Sequence, residues 1–310
     1  MRLNKRFNTL TEYFESIFHK KVLKVSLNMG FTCPNRDGSK GYGGCSFCSA
    51  LYGGDFAGEK DKSMEEQFIE IKEMETKKWP DALYIPYFQA GTNTYAQPEV
   101  LRQMYNEALS LDKDVVGLSI STRPDCLSEE VLEVLEEMNK KTFLIIELGL
   151  QTVNEKTLQK INRCHSTACF KEAVIHLKER GIDNIVVHII DGLEGETKED
   201  MLNTIKFINS LPVNGIKIHL LHLMKDTLMG DEYLKKPWKT ITREEYTDIV
   251  VSQIEILRSD IIIHRLTGDA PKDKLIEPLW SLKKFVVLNE IDKELRRRNT
   301  YQGIYYKKDL

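Results

Sequence analysis

Residues 22–33 read Val-Leu-Lys-Val-Ser-Leu-Asn-Met-Gly-Phe-Thr-Cys, and residues 34–48 continue Pro-Asn-Arg-Asp-Gly-Ser-Lys-Gly-Tyr-Gly-Gly-Cys-Ser-Phe-Cys. A short apolar run, Val22–Leu27, gives way to a glycine-rich loop that carries Cys33, Cys45 and Cys48. The run is bounded by turn residues, which predicts a strand with the cysteines just beyond its carboxyl end. Three thiolates, two of them in a C-x-x-C pair, suit a metal centre. An iron–sulfur cubane takes four ligands, so three from the chain would leave one iron open to another molecule. A structural zinc site, completed by a fourth cysteine or histidine, is the rival for the same loop.

The pattern repeats outward from this stretch. Apolar runs at Ala82–Gln89, Val115–Ser121, Phe143–Leu150, Asn184–Ile190 and Gly215–Leu223 alternate with amphipathic stretches. Those stretches are Ser63–Trp79, Pro98–Leu111, Ser128–Met138, Ser166–Arg180 and Thr197–Ser210. Several open on an N-capping Ser or Thr, and Gly181 follows Arg180 as a stop signal. Strands buried on both faces and joined by helical crossovers predict a parallel sheet. Six such units over residues 22–225 predict an α/β fold of the partial (β/α)6 TIM-barrel type. The dinucleotide fingerprint G-x-G-x-x-G is absent, which argues against a Rossmann sheet.

Beyond residue 225 the rhythm changes. A loop at Tyr233–Thr240, a helix at Arg243–Ser259, a strand at Ile261–Thr267, a Gly-Asp-Ala-Pro turn and a helix at Pro278–Arg298 follow. They predict a short α/β C-terminal extension, residues 226–310, packed on the barrel. Residues 1–21 form a basic N-terminal segment ahead of it.

Of 310 residues, 29% are charged and 41% hydrophobic, the balance of an ordinary globular chain. No segment approaches the roughly 20 apolar residues of a membrane span. The first 21 residues lack the apolar core of an export signal. These readings predict a cytoplasmic protein with no membrane partner and reduced cysteines. Cys126, Cys164 and Cys169 form no second C-x-x-C pair and read as packed or half-exposed thiols. A net charge of −3 does not mark a nucleic-acid binder, but the charge is unevenly spread. Residues 1–24 carry six Lys/Arg against two Glu, and residues 293–308 carry six against one. Two basic ends could cradle phosphates or simply be solvated helix faces.

In a parallel barrel, ligands meet the carboxyl ends of the strands. Unusual residues gather there repeatedly. Gly91 and Thr92 sit in the turn after the second strand, and Ser121 and Arg123 end the third. Gln151 ends the fourth strand, with Arg163 one helix later; His188 lies on the fifth, and His219 and His222 on the sixth. Inner-barrel packing is the structural alternative for His219 and His222, and a surface cation that for Arg163.

The C-x11-C-x2-C loop, with Phe47 between its last two cysteines and six βα units behind it, resembles the radical S-adenosylmethionine (radical SAM) superfamily. The likeness covers roughly residues 22–223, and the long first spacing is similar to the branch that includes the elongator catalytic subunit. The resemblance implies that Cys33, Cys45 and Cys48 hold a [4Fe–4S] cluster whose open iron takes S-adenosylmethionine. One electron, from a reductant protein such as flavodoxin or ferredoxin, then yields a 5′-deoxyadenosyl radical. It also implies cofactor contacts from Phe47 and from Gly91 and Thr92, which stand at the family's glycine-rich turn without that turn's glutamate. Gly149-Leu150-Gln151 and Asn162-Arg163 resemble the oxygen-independent coproporphyrinogen oxidase branch. That match gives Gln151 the ribose and Arg163 the SAM carboxylate. Ser121 and His188 stand where the same branch places acidic contacts, with different residue types.

Five strings, Phe31–Gly38, Tyr87–Ala90, Ser121–Asp125, Leu266–Asp269 and Thr300–Gly303, resemble the YhcC/YtqA-type (MnmL-like) radical SAM proteins. This resemblance implies action on the tRNA wobble uridine, converting its carboxymethylaminomethyl side chain to aminomethyl. The carbon–nitrogen bond to be broken lacks a good leaving group, so hydrogen abstraction beside the amine offers a route. On this reading Arg123 or Arg265 grips the carboxylate, and His219, His222 or Asp269 moves protons. The basic ends would hold anticodon phosphates around an unstacked base. Radical chemistry on a small metabolite or a protein, and a non-catalytic zinc-bearing RNA-binding module, are the alternatives.

Overall fold

Six strands run parallel in chain order: β1 (Val22–Leu27), β2 (Leu83–Phe88), β3 (Gly117–Thr122), β4 (Phe143–Gln151), β5 (Ile185–Asp191) and β6 (Gly215–Leu220). Three more follow, β7 (Leu223–Met224), β8 (Ile262–Arg265) and β9 (Leu275–Glu277). The computed structural model describes residues 5–307. Arg2 and Lys308, the outermost cations of the two basic ends, lie outside the described residues.

The sheet curls into an open TIM-type barrel, with one addition to the six expected strands. β8 pairs in parallel with β6, so the order is β1-β2-β3-β4-β5-β6-β8. The C-terminal segment therefore continues the sheet itself. The open edge of β6 explains why: Ile263 pairs with Ile216 and buries its side chain in the same core. β7 and β9 form a separate antiparallel pair.

Helices α1 (Leu10–Phe18), α2 (Met64–Thr76), α3 (Pro98–Leu109), α4 (Glu129–Lys141), α5 (Glu155–Lys160), α6 (Thr167–Glu179) and α7 (Lys198–Asn209) come first. Then come α8 (Leu228–Lys235), α9 (Arg243–Ile256) and α10 (Lys284–Arg297). The segment read as a loop from Tyr233 instead begins inside α8, whose cap is the Thr227 hydroxyl accepting from Gly230 N at 3.0 Å. The basic N-terminal segment also folds. Thr9 and Glu12 form a capping box for α1, and Phe14 packs with Val22, Ile85, Ile145 and Val186. Those partners lie near the amino ends of their strands, so α1 closes the end of the barrel away from the cysteine loop.

Strand alternation divides the side chains. Leu118, Ile146, Val187 and Ile216 face the helices and meet Leu101, Leu135, Phe170, Ile205 and Val250 in one core. The inner face changes character along the barrel. It is apolar at Ile85, Ile145 and Val186. One step toward the carboxyl ends it becomes Lys24, Tyr87, Ser119, Glu147, His188 and Lys217, bound to one another.

Candidate active site

The cysteine loop is held by its own backbone and by two side-chain anchors, Arg36 and Asn35. Arg36 N and Asp37 N donate to Cys33 O at 2.8 and 3.2 Å, and Cys48 N donates to Cys45 O at 2.9 Å. The Arg36 guanidinium donates to the carbonyls of Cys48 (3.0 Å) and Ser49 (2.5 Å) and stacks over Tyr52. Buried Asn35 donates to Asn162 O at 2.5 Å, and Ser46 N to Ile161 O at 2.9 Å, tying the loop to the end of α5.

Gly91 presses the turn after β2 against this loop. Its φ is +79°, and a Cβ there would stand 2.2 Å from Phe31 O, so only glycine fits. The amide N–H groups of Gly91 and Thr92 donate to Tyr52 O (3.3 Å) and Thr32 O (3.1 Å). These two donors therefore fix the loop to the sheet.

A cavity of about 340 Å³ opens at the carboxyl ends of the strands. It is lined by the three cysteines and by every other residue singled out from the sequence: Phe47, Gly91, Thr92, Ser121, Arg123, Gln151, Arg163, His188, His219, His222, Arg265 and Asp269. The topology brings all of them to one end of the barrel.

Their partners differ in ways the sequence did not reveal. Arg163 is buried, with Nη1 at 3.5 Å from Cys45 Sγ and Nη2 donating to Gly149 O at 2.7 Å. Burial, together with neighbouring Cys45, pushes the Cys48 thiol up to about 11, against the pull of Arg36. Ser121 Oγ meets the Tyr87 hydroxyl at 3.2 Å. His188 Nε2 lies 2.6 Å from Glu147 Oε2, yet burial and then Lys217 lower its pKa to about 4. Burial lowers His219 well below the usual range and His222 to about 4, so both are neutral imidazoles.

Two of the expected catalytic residues already have protein partners. The Arg123 fork is already filled, because Nε and Nη2 donate to the two Asp125 oxygens at 2.8 and 3.0 Å. A residue two positions away takes the bidentate geometry that a substrate carboxylate would need. Asp269 is paired with Lys284 at 2.5 Å, which ties it to the start of α10. Several cations of the basic ends are paired within the chain. Arg296 pairs with Asp292, Arg297 with Glu294, Arg298 with Asp248 and Glu294, and Lys5 with Asp292. None of them lines the cavity.

The sequence places Glu147 on the fourth strand but does not show the partners that make a charged floor around it. Glu147 is fully buried and accepts from Lys24 and Ser119 on Oε1, and from Lys217, His188 and Tyr87 on Oε2. Tyr87 and Lys217 line the cavity. The signal was alternation: in Gly215-Ile-Lys-Ile-His, Lys217 shares the inner face with His219.

The donor set fits an iron–sulfur cluster with an organic cofactor beside it. Among the described residues, Arg123 Nη1, Arg163 Nε, His219 Nε2 and His222 Nε2 are buried without a hydrogen-bond partner, and all belong to cavity-lining residues. Buried polar atoms of this kind are ordinarily satisfied, so they mark places for a polar ligand. Among the described residues no three His, Cys, Asp or Glu side chains converge as the ligands of a single ion do. No described helix is long and apolar enough to cross a membrane.

Comparison with known proteins gives the family. The Radical SAM superfamily matches residues 27–208, and the Radical_SAM C-terminal domain matches residues 213–297. The uncharacterized protein YtqA of Bacillus subtilis (strain 168) is 47% identical over 304 residues, covering 98% of this chain and 94% of its own length. Protein YhcC of Escherichia coli (strain K12) is 35% identical over 296 residues, covering 95% of this chain and 94% of its own. Among solved structures, the archaeal Methanocaldococcus infernus Elp3 with an N-terminal deletion superposes with a TM-score of 0.69. It does so at 18% identity over 94% of this chain and 68% of that one, a likeness of fold. Proteins of this superfamily use a [4Fe–4S] cluster and S-adenosylmethionine. With these two matches covering most of its length in tandem, the chain belongs to the radical SAM superfamily.

Proposed function

We propose that this radical SAM enzyme modifies the tRNA wobble uridine, converting carboxymethylaminomethyl-uridine to aminomethyl-uridine in the cytoplasm. The observation that carries the reading is the single cavity that joins the three thiols to Arg265, His219 and His222. Cys33, Cys45 and Cys48 would hold the cluster. Arg163, with an unpartnered Nε beside Cys45, would take the SAM carboxylate, and Gln151 the ribose. Phe47, Ser121 and His188 would complete that wall, while Gly91 and Thr92 keep the cysteine loop in place. When bound, the cluster and SAM supply one-electron cleavage and hence removal of a hydrogen atom from an unactivated carbon.

The chain's own residues do the rest. His219 and His222 are neutral, and the unpartnered Nε2 of each is free to donate or accept a hydrogen bond according to tautomer. Arg265 faces the cavity as the grip for the substrate carboxylate. Phe56, 57% exposed among the lining residues, offers a ring face to an unstacked base. A flavodoxin- or ferredoxin-type protein would deliver the electron.

Mass spectrometry of tRNA nucleosides from a strain lacking the gene tests the substrate. Carboxymethylaminomethyl-uridine should accumulate there and disappear on complementation. If its level does not change, radical chemistry on a small metabolite or a protein takes the place of this reading.

A further inference from the structure

β8 contains a bulge. Ile263 pairs with Ile216 and Arg265 with Lys217, so His264 is the extra residue. Regular alternation would turn Arg265 toward the helices along with Ile263. The bulge instead brings it to the inner face, where it lines the cavity beside Lys217. Lys217 is in turn the register partner of His188 on β5.

The charges here do not balance. Arg265 has no hydrogen-bond or ion-pair partner among the described residues. Lys217 Nζ lies 2.5 Å from Glu147 Oε2 and 3.1 Å from the Tyr87 hydroxyl, while Lys24 holds the other Glu147 oxygen at 2.5 Å. One carboxylate thus faces the amines of Lys24 and Lys217 with unpaired Arg265 beside them, and burial brings Lys217 down to about 7. Charge withdrawn from water is costly unless it is paired. The neighbouring imidazoles of His219 and His222 bring unpartnered Nε2 atoms and, being neutral, add hydrogen bonding without further charge.

We infer that Arg265 and Lys217 form a seat for a substrate carboxylate on the cavity floor, with Glu147 as the positioning residue for Lys217. The seat is distinct from Arg163, which stands against Cys45. It deepens the wobble-uridine reading and rests on that reading only for the molecule that carries the carboxylate. Its consequence is selection of the free acid over a neutral ester of the same side chain.

Two measurements on the full-length, anaerobically reconstituted enzyme test it. In the first, the enzyme is saturated with SAM and titrated with trifluoroacetate, followed by fluorine NMR. The wild type should broaden the signal; Arg265→Gln should weaken binding about tenfold or more, and Arg265→Lys should recover part of it. Matched iron content and melting temperature show that the variants are folded. Binding that ignores Arg265→Gln, or that SAM abolishes in the wild type, overturns the seat. The second compares tRNA bearing carboxymethylaminomethyl-uridine with its methyl ester. The wild type should prefer the acid, and Arg265→Gln should raise the KM for the acid about tenfold while leaving the ester unchanged. Equal use of acid and ester by the wild type overturns the seat. A wild type that binds trifluoroacetate through Arg265 yet turns over neither tRNA overturns the tRNA reading and leaves the seat standing.

Discussion

The Lys217 ammonium lies 2.5 Å from one oxygen of Glu147, and Lys24 lies 2.5 Å from the other. Burial by itself would raise this carboxyl's pKa, but Lys217 and Lys24 outweigh it and hold the group ionised well below its usual range. Because the folded pKa is depressed, the stabilisation is fully present above the unfolded value and is lost progressively as pH falls from there through the folded one. Removing one partner of a buried pair strands the other charge. Glu147→Ala should cost about 3–5 kcal/mol in urea unfolding at pH 7. Glu147→Gln, which keeps acceptor and shape, should cost less.

The buried histidines set the acid limit. His188 and His222 titrate near 4 in the folded protein because burial disfavours their charged forms. The unfolded chain takes up their protons near 6.5. Their contribution is therefore intact above pH 6.5 and falls as pH drops from 6.5 toward 4. Thermal or urea melts at pH 7 and pH 5 should show His222→Gln losing about 2 kcal/mol less than the wild type over that interval.

Much of this molecule is legible from its residues, and the gaps have physical causes. Strands buried on both faces must be apolar, so β1 to β6 could be placed to within a few residues. The cysteine loop announces itself by ligand chemistry. The pairing of Glu147 with Lys24 and Lys217 does not, because the three sit on separate strands and only register brings them together. No glycine or proline marks the bulge at His264, so the direction of Arg265 was unreadable. The Arg123–Asp125 fork and the α10 pairs Arg296–Asp292 and Arg298–Glu294 are short-range contacts. A closer reading of i,i+4 spacing would have found the helical ones.

Gly91 offers a structural test of the cysteine loop. A Cβ at this position meets a backbone carbonyl, and the positive φ adds strain for any other residue. Gly91→Ala should destabilise by about 2 kcal/mol or more and lower the iron bound per chain. Iron analysis beside a melting curve checks both effects.

The most direct measurement is S-adenosylmethionine cleavage by the anaerobically reconstituted protein under dithionite. The wild type and Cys126→Ala, whose thiol burial pushes up to about 12 and which lies outside the cavity, should both bind iron–sulfur cluster and release 5′-deoxyadenosine. Cys33→Ala, Cys45→Ala and Cys48→Ala should each lose both properties. Full cluster loading and cleavage in any of those three variants, or a wild type that loads the cluster and never cleaves S-adenosylmethionine, would contradict the account.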